Sequence, residues 1–201
     1  MSHYFESPSE GTDAPRIVTL HLPERSLELH TGAGVFSRER IDVGTNVLLN
    51  TAPAPPMTGD LLDLGCGYGP IALTMASRAP KGIVWAVDVN ERALQLCAEN
   101  AARAGLDNVR VCAPDRVPGH IRFSAIWSNP PIRIGNITLH ELLVRWLRRL
   151  EPCGEAYLVV QRHLGSDSLH RWLAEQGWPT SRVASRKGFR VLRCQALVPT
   201  P

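Results

Sequence analysis

Residues 61–64, Leu-Leu-Asp-Leu, run directly into Gly65-Cys66-Gly67-Tyr68-Gly69 and then into a helical stretch over residues 70–78 that opens on Pro70. A short, nearly unbroken apolar run, a glycine cluster and a helix make one strand–turn–helix unit of an open sheet, because a strand covered on both faces needs apolar residues on both. Strand and helix then alternate with little waste. A second strand over 83–87 ends at Asp88, and a helix over 91–104 is closed by Gly105. Strands over 109–112 and 123–127 precede an amphipathic helix over 137–150, with Leu139, Leu142, Leu143, Trp146, Leu147 and Leu150 on one side. A strand over 156–160 and a helix over 167–176 lead to a hairpin, 181–185 and 189–197, that turns at Lys187-Gly188. The expected fold is α/β: a doubly wound, mostly parallel sheet of seven strands that finishes in an antiparallel pair.

Upstream, residues 16–22 alternate apolar and polar side chains, Pro23-Glu24 breaks the pattern, and residues 26–30 resume it, which predicts a small β-hairpin. A short helix is expected over 42–49, followed by a proline-rich connector over 52–56. Residues 1–15 have no apolar period and read as a loose tail. The expected organisation is therefore a tail (1–15), a hairpin and helix extension (16–56) and the α/β domain (57–201).

A chain of 201 residues with 44% hydrophobic residues buries enough surface to fold without disulfides or a structural metal. Its five cysteines (66, 97, 112, 153 and 194) form no C-x-x-C pair and no Cys/His ligand spacing, as expected of reduced thiols in a cytoplasmic protein. The acidic, polar start offers no signal peptide, and no apolar run is long enough to span a bilayer. No membrane partner is expected. The seven histidines show neither a metal pattern nor a triad, so a metalloenzyme or hydrolase has little support.

The formal charge of +3 conceals a division. Residues 1–115 hold 9 basic and 14 acidic side chains, and residues 116–201 hold 13 basic and 5 acidic. Such asymmetry suggests that one region meets something anionic, unless the arginines only coat helix faces.

Two chemistries compete for the glycine loop. A dinucleotide fold spaces its glycines G-x-G-x-x-G, whereas here they run G-x-G-x-G and Asp63 stands inside the strand two residues before the first. Acids recur at successive strand ends, with Asp88 following the second strand and Asp115 the third. An acid after the second strand can accept hydrogen bonds from ribose hydroxyls. The fourth strand runs into Ser128-Asn129-Pro130-Pro131-Ile132-Arg133-Ile134-Gly135. Two prolines directly after a strand-end Asn stop the ladder and hold Asn129 in extended geometry. Its side-chain oxygen and the Pro130 carbonyl can both accept from an NH2 group.

With these motifs together, residues from about 17 to 194 resemble the class I S-adenosylmethionine-dependent methyltransferases, and within them the "methyltransferase small" domain family. That family includes 16S ribosomal RNA guanine-N2 methyltransferases and short single-domain homologues. The residues that carry the likeness are Gly34-Val35-Phe36-Ser37, the loop from Asp63 to Gly69, Asp88, Asp115, Asn129 to Gly135, and Gly188 to Leu192. The resemblance implies a Rossmann-like methyltransferase fold and S-adenosyl-L-methionine as cofactor, held by Asp63, Gly65, Cys66, Gly67, Asp88, Val89, Asp115 and Asn129. In it, Asp63 holds the cofactor ammonium directly or through water, and Asp115 faces the adenine.

Asn129, Pro130 and Pro131 are then the catalytic set for a planar amino nitrogen, which the resemblance implies to be guanine N2 of ribosomal RNA. Phe36, Ile132, Arg133, Arg162 and Arg190 are the candidate substrate-binding residues. The expected partner is RNA, either ribosomal RNA or a ribosomal subunit. A protein glutamine, a small-molecule amine, or a non-catalytic module that binds cofactor or RNA during ribosome assembly are the alternatives. Two positions depart from many relatives: Ile132-Arg133 replaces an aromatic after the prolines, and Asn136 stands where Lys is common. Phe36 reads either as part of a lid over the cofactor or as a plug that docks the extension. The tryptophans read as core rather than as stacking platforms.

Overall fold

Periodicity along the chain is realised as alternating elements in the computed structural model, which describes residues 16–197. The segment 1–15, the last four residues and the side chain of Arg133 lie outside the described residues. Strands β1 (Arg16–His21) and β2 (Ser26–Thr31) pair antiparallel, with Arg16 opposite Thr31 and His21 opposite Ser26. Helix α1 (Val43–Leu49) follows, capped by the Asp42 side chain, which accepts from the Thr45 amide.

The main sheet is assembled from β3 (Thr58–Leu64), β4 (Lys81–Val87), β5 (Val109–Cys112), β6 (Phe123–Ser128), β7 (Leu150–Gln161), β8 (Thr180–Arg186) and β9 (Phe189–Gln195). Its spatial order is β5-β4-β3-β6-β7-β9-β8. The first five strands of that order run parallel, and β9 runs antiparallel to both of its neighbours. Helices α2 (Pro70–Arg78), α3 (Glu91–Arg103), α4 (Asn136–Leu147) and α5 (Ser166–Glu175) are the connections.

Strand alternation divides the core in two. Leu61, Val84, Ala125 and Trp127 face one side with α1, α2, α3 and the N-terminal hairpin; Leu62, Ile126 and Leu158 face the other with α4 and α5. The hairpin thus shares a core with the sheet rather than hanging from it. Its strand β2 packs on α3, and Arg78 at the end of α2 ties the extension down by pairing with Glu24 of the hairpin turn at 2.6 Å and donating to the Leu49 carbonyl of α1 at 3.1 Å.

One expected boundary is displaced. Helix α4 ends at Leu147, and Leu150, expected on its apolar side, instead opens β7 opposite Phe123. Both placements bury a leucine, so a 3.6-residue period alone cannot separate them. The tryptophans behave as core in part: Trp127, Trp146 and Trp178 are buried, Trp85 is half-buried with its indole donating to Asp60, and half-buried Trp172 stacks on His140 at 3.6 Å.

Because β3 connects outward to β4 on one side and has β6 on the other, the strand order reverses at β3. The carboxyl ends of β3, β4 and β6 therefore open a crevice, the place where such sheets bind ligands.

Candidate active site

The loop after β3 is shaped by three glycines with φ of 79° (Gly65), 55° (Gly67) and 99° (Gly69). Their roles differ. A Cβ at Gly65 or Gly67 would meet no atom within 4 Å, whereas at Gly69 it would lie 2.7 Å from Leu73 Cδ1 and 2.8 Å from Cys97 Sγ. The first two present bare backbone to open space, and the third lets the loop pack on α2 and α3. The Gly65 and Cys66 amides both donate to the Val87 carbonyl, at 2.8 and 3.0 Å, which ties the loop to the end of β4. Cys66 is buried; the Cys97 thiol beside it, together with burial, pushes its own thiol well up, so Cys66 offers the crevice backbone only.

Asp88 joins the two strand ends. Its Oδ2 accepts from the Gly67 amide and its Oδ1 from the Asn90 amide, each at 2.9 Å. Val89 beside it is 84% exposed. Asp63 is fully buried beneath the loop: Oδ2 accepts from the Ala72 amide at 2.8 Å near the start of α2, and Oδ1 has no partner. Burial pushes its carboxyl well above the usual range. Asp115 is exposed near Arg116.

Asn129 leaves β6 at the same edge, where Ser128 Oγ donates to the Leu64 carbonyl at 2.6 Å and so joins the two strand ends that carry the motifs. The Asn129 amide nitrogen donates to Asp42 Oδ2 at 2.9 Å and to Thr45 Oγ1 at 3.1 Å. Both of its hydrogens are spent, and its Oδ1 accepts nothing among the described residues. The Pro130 carbonyl accepts from the Ile132 amide at 2.9 Å and keeps a second lone pair. Pro130 is buried and Pro131 exposed. Ile132 is half-buried, and with Leu139, His140, Leu164 and Trp172 it lines a cavity of about 140 Å³.

The extension supplies a strap over this edge. The Gly34 carbonyl accepts from Asn90 Nδ2 at 2.7 Å, and the Ser37 carbonyl from the Tyr68 hydroxyl at 3.4 Å. Between these ties Phe36 is 70% exposed, while Val35 packs on the core. Of the two readings of Phe36, the plug is therefore excluded. Buried Asn100 completes the anchorage, bonded to both backbone groups of His30 and to the Tyr68 carbonyl.

The candidate cations separate. Arg162, Arg186 and Lys187 are exposed at the ends of β7 and β8 and enter no ion pair among the described residues. Arg190 is corrected: its side chain is only 12% exposed and its guanidinium is paired with Asp167, so it is not a free phosphate contact. Facing inward from β9 toward α5, it meets that acid first. Arg149 lies about 5 Å over the rings of Phe123 and Trp146, a packing role. Asp42, Thr45 and Asn90 join this edge without a motif to mark them, the local signal being the helix-capping pattern at Asp42 and Asn90, while Tyr68 joins it from inside the glycine loop.

Among the described residues no His/Cys/Asp/Glu group could hold a metal, and no helix is long and apolar enough to cross a membrane. The open glycine backbone, the acid at the end of β4 and the orphaned Asp63 oxygen behind the loop fit a cofactor that carries both an ammonium and a ribose.

A seven-stranded sheet of this order with such a loop at its switch point defines an S-adenosyl-L-methionine-dependent methyltransferase. Residues 26–193 match the methyltransferase small domain, and the chain belongs to that family. It is 31% identical over 196 residues to the protein YbxB of Bacillus subtilis (strain 168), covering 96% of this chain and 98% of that one. Its fold is similar to the T. thermophilus 16S rRNA N2 G1207 methyltransferase (RsmC), solved in complex with AdoMet and guanosine, with a TM-score of 0.77 and 22% identity. The similarity covers 90% of this chain but 50% of that enzyme. A methyltransferase from Pyrococcus furiosus is similar with a TM-score of 0.69 and 18% identity, over 86% of this chain and 90% of that one.

Proposed function

We propose that this methyltransferase modifies an exocyclic planar amine, guanine N2 of ribosomal RNA, in the cytoplasm. The observation that carries the reading is the Asn129 carboxamide. With its NH2 spent on Asp42 and Thr45, only its oxygen is left to face a ligand at the crevice, and the Pro130 carbonyl beside it keeps acceptor capacity. Two acceptors suit a donor NH2 and repel a carbonyl or phosphate oxygen.

An arylamine is a poor nucleophile because its lone pair is delocalised into the ring. Accepting both of its hydrogens pushes electron density back to nitrogen and orients the lone pair toward the donor. When bound at this crevice, S-adenosylmethionine would supply a methyl on a cationic sulfur, and that sulfur would depart as a neutral thioether as the amine nitrogen took the methyl. The amine proton leaves afterwards, so Asn129 need not act as a base.

Several observations favour RNA. Arg162, Arg186 and Lys187 are exposed and enter no ion pair among the described residues, as backbone contacts require, and Ile132 offers an aliphatic surface beside the prolines on which a base can pack. The Thermus enzyme acts on N2 of a guanine in 16S rRNA.

The test supplies labelled cofactor to total RNA, ribosomal subunits and protein extract, and maps the label by mass spectrometry. N2-methylguanosine in ribosomal RNA is expected, with binding that weakens steeply as salt rises. Label confined to protein glutamine or to a small amine would replace the RNA reading; cofactor or RNA binding with no label transferred would replace the catalytic one.

A further inference from the structure

We propose that Asp42 and Thr45, 87 and 84 residues from Asn129 in the chain, are positioning residues of the methyl transfer, which hold the Asn129 carboxamide with its oxygen outward. The inference rests on the reading of Asn129 as the group that orients the acceptor amine.

A carboxamide presents two nearly isosteric ends, and flipping it replaces an acceptor by a donor. Facing an amino group, the flipped form sets donor against donor. Nothing within Asn129-Pro130-Pro131 decides between the two, but Asp42 does: its carboxylate only accepts, so it takes an amide hydrogen and rejects the amide oxygen. Thr45 Oγ1, on a buried residue, accepts the other hydrogen. The flip therefore loses the hydrogen bond to Asp42 and sets oxygen against carboxylate, while the Thr45 hydroxyl, which can also donate, holds the carboxamide in place and leaves the choice of end to Asp42. A charged acceptor on the NH2 end also polarises the amide and makes its oxygen a better acceptor.

Asp42 is itself held. The Oδ2 that accepts from Asn129 also accepts the Thr45 amide at 2.9 Å as the cap of α1, so one local turn sets its rotamer. Gly44 leaves room for this: a Cβ there would lie 2.9 Å from Asp42 Oδ2 and 2.7 Å from Phe189 Cε1. The carboxylate also lies near the glycine loop, where burial and its negative charge raise the Tyr68 phenol. The extension is thus part of the reaction centre, with its acceptors fixed before substrate arrives.

Three variants separate orientation from stability. Asp42→Gly removes the acceptor but leaves a residue that the N-cap position of a helix accommodates well. Thr45→Val keeps shape and backbone amide, and Asp42→Asn keeps an oxygen able to accept both hydrogens. With ribosomal RNA as substrate, Asp42→Gly should lower kcat by about tenfold or more and Thr45→Val by roughly threefold or more. KM for RNA and Kd for S-adenosylhomocysteine should stay within about threefold, and Asp42→Asn should recover most of the rate. In an Asn129→Ala background, Asp42→Gly should add almost nothing.

A readout independent of turnover is the NMR spectrum of the Asn129 side-chain amide. Its two protons should be well separated and slow to exchange in the wild type and should collapse toward free-amide positions in Asp42→Gly. Wild-type kcat in Asp42→Gly, an undiminished effect without Asn129, or unchanged amide signals would overturn the proposal. Full activity in Asn129→Ala would instead overturn the reading on which it rests.

Discussion

Asp88 Oδ2 accepts the Gly67 amide hydrogen at 2.9 Å, so the acid that follows β4 is bonded to the middle glycine of the loop that follows β3. With Asn90 on its other oxygen, this carboxylate sets the spacing of two strand ends. Asp88→Ala releases the Gly67 amide and removes an acceptor from the crevice. Cofactor Kd should rise at least about tenfold, roughly 1.4 kcal/mol or more. Calorimetry with S-adenosylmethionine measures it, and an unchanged Kd would remove Asp88 from the site.

Asn129→Ala should leave cofactor binding intact and reduce methyl transfer about a hundredfold, roughly 2.7 kcal/mol of lost orientation and electrostatics. Single-turnover rates with saturating cofactor make the comparison. Wild-type turnover in this variant would be incompatible with the assigned role.

Gly65 and Gly69 should answer differently to alanine. At Gly69 the new Cβ meets Leu73 and Cys97 below 3 Å, so Gly69→Ala should lose about 2–3 kcal/mol of stability. At Gly65 it meets nothing, and Gly65→Ala should lose only about 1 kcal/mol from its positive φ while weakening cofactor binding. Urea titration alongside calorimetry separates the two effects, and equal destabilisation would contradict the open cradle.

Asp63 gives stability a pH dependence of definite sign. Burial raises its folded-state value well above 3.8, so between the two values the folded chain keeps a proton that the unfolded chain has lost. Its contribution is full in acid and is lost as pH rises through the raised folded value. Asp63→Asn, which is neutral throughout, should gain on the wild type with rising pH, by up to about 1.4 kcal/mol per pH unit within that window. Denaturant midpoints from about pH 5 to 8 provide the check; a gap independent of pH would show that the carboxyl is not raised.

Much of the architecture was legible along the chain. The strand before Gly65 follows from a short apolar run that ends in glycines, and the helix over 70–78 and the closing hairpin from apolar periods of 3.6 and 2.0, all of them local quantities. Leu150 marks the limit, since a leucine at the end of a helix and one at the start of a strand are equally well buried. The strand ends carrying Asp63, Asp88, Asp115 and Asn129 could likewise be placed, because a parallel α/β sheet brings all its carboxyl ends to one edge.

What each of those side chains touches was not legible. Nothing in the sequence sets Asp167 beside Arg190, and nothing in it shows that Asp63 lies beneath the loop with one oxygen on the Ala72 amide and the other without a partner.

Apolar periodicity and the two motifs determined the class of sheet and the strand ends at which the glycine loop and Asn129-Pro130-Pro131 stand, because burial and backbone geometry are decided within a few neighbouring residues. Only the folded chain decided which way Asn129 faces, since its partners Asp42 and Thr45 arrive from another element and hydrogen bonds leave no periodic trace in the chain. The N-terminal hairpin, an appendage by its sequence, shares its core with the glycine loop for the same reason: apolar side chains signal that they will be buried, and only packing determines against what.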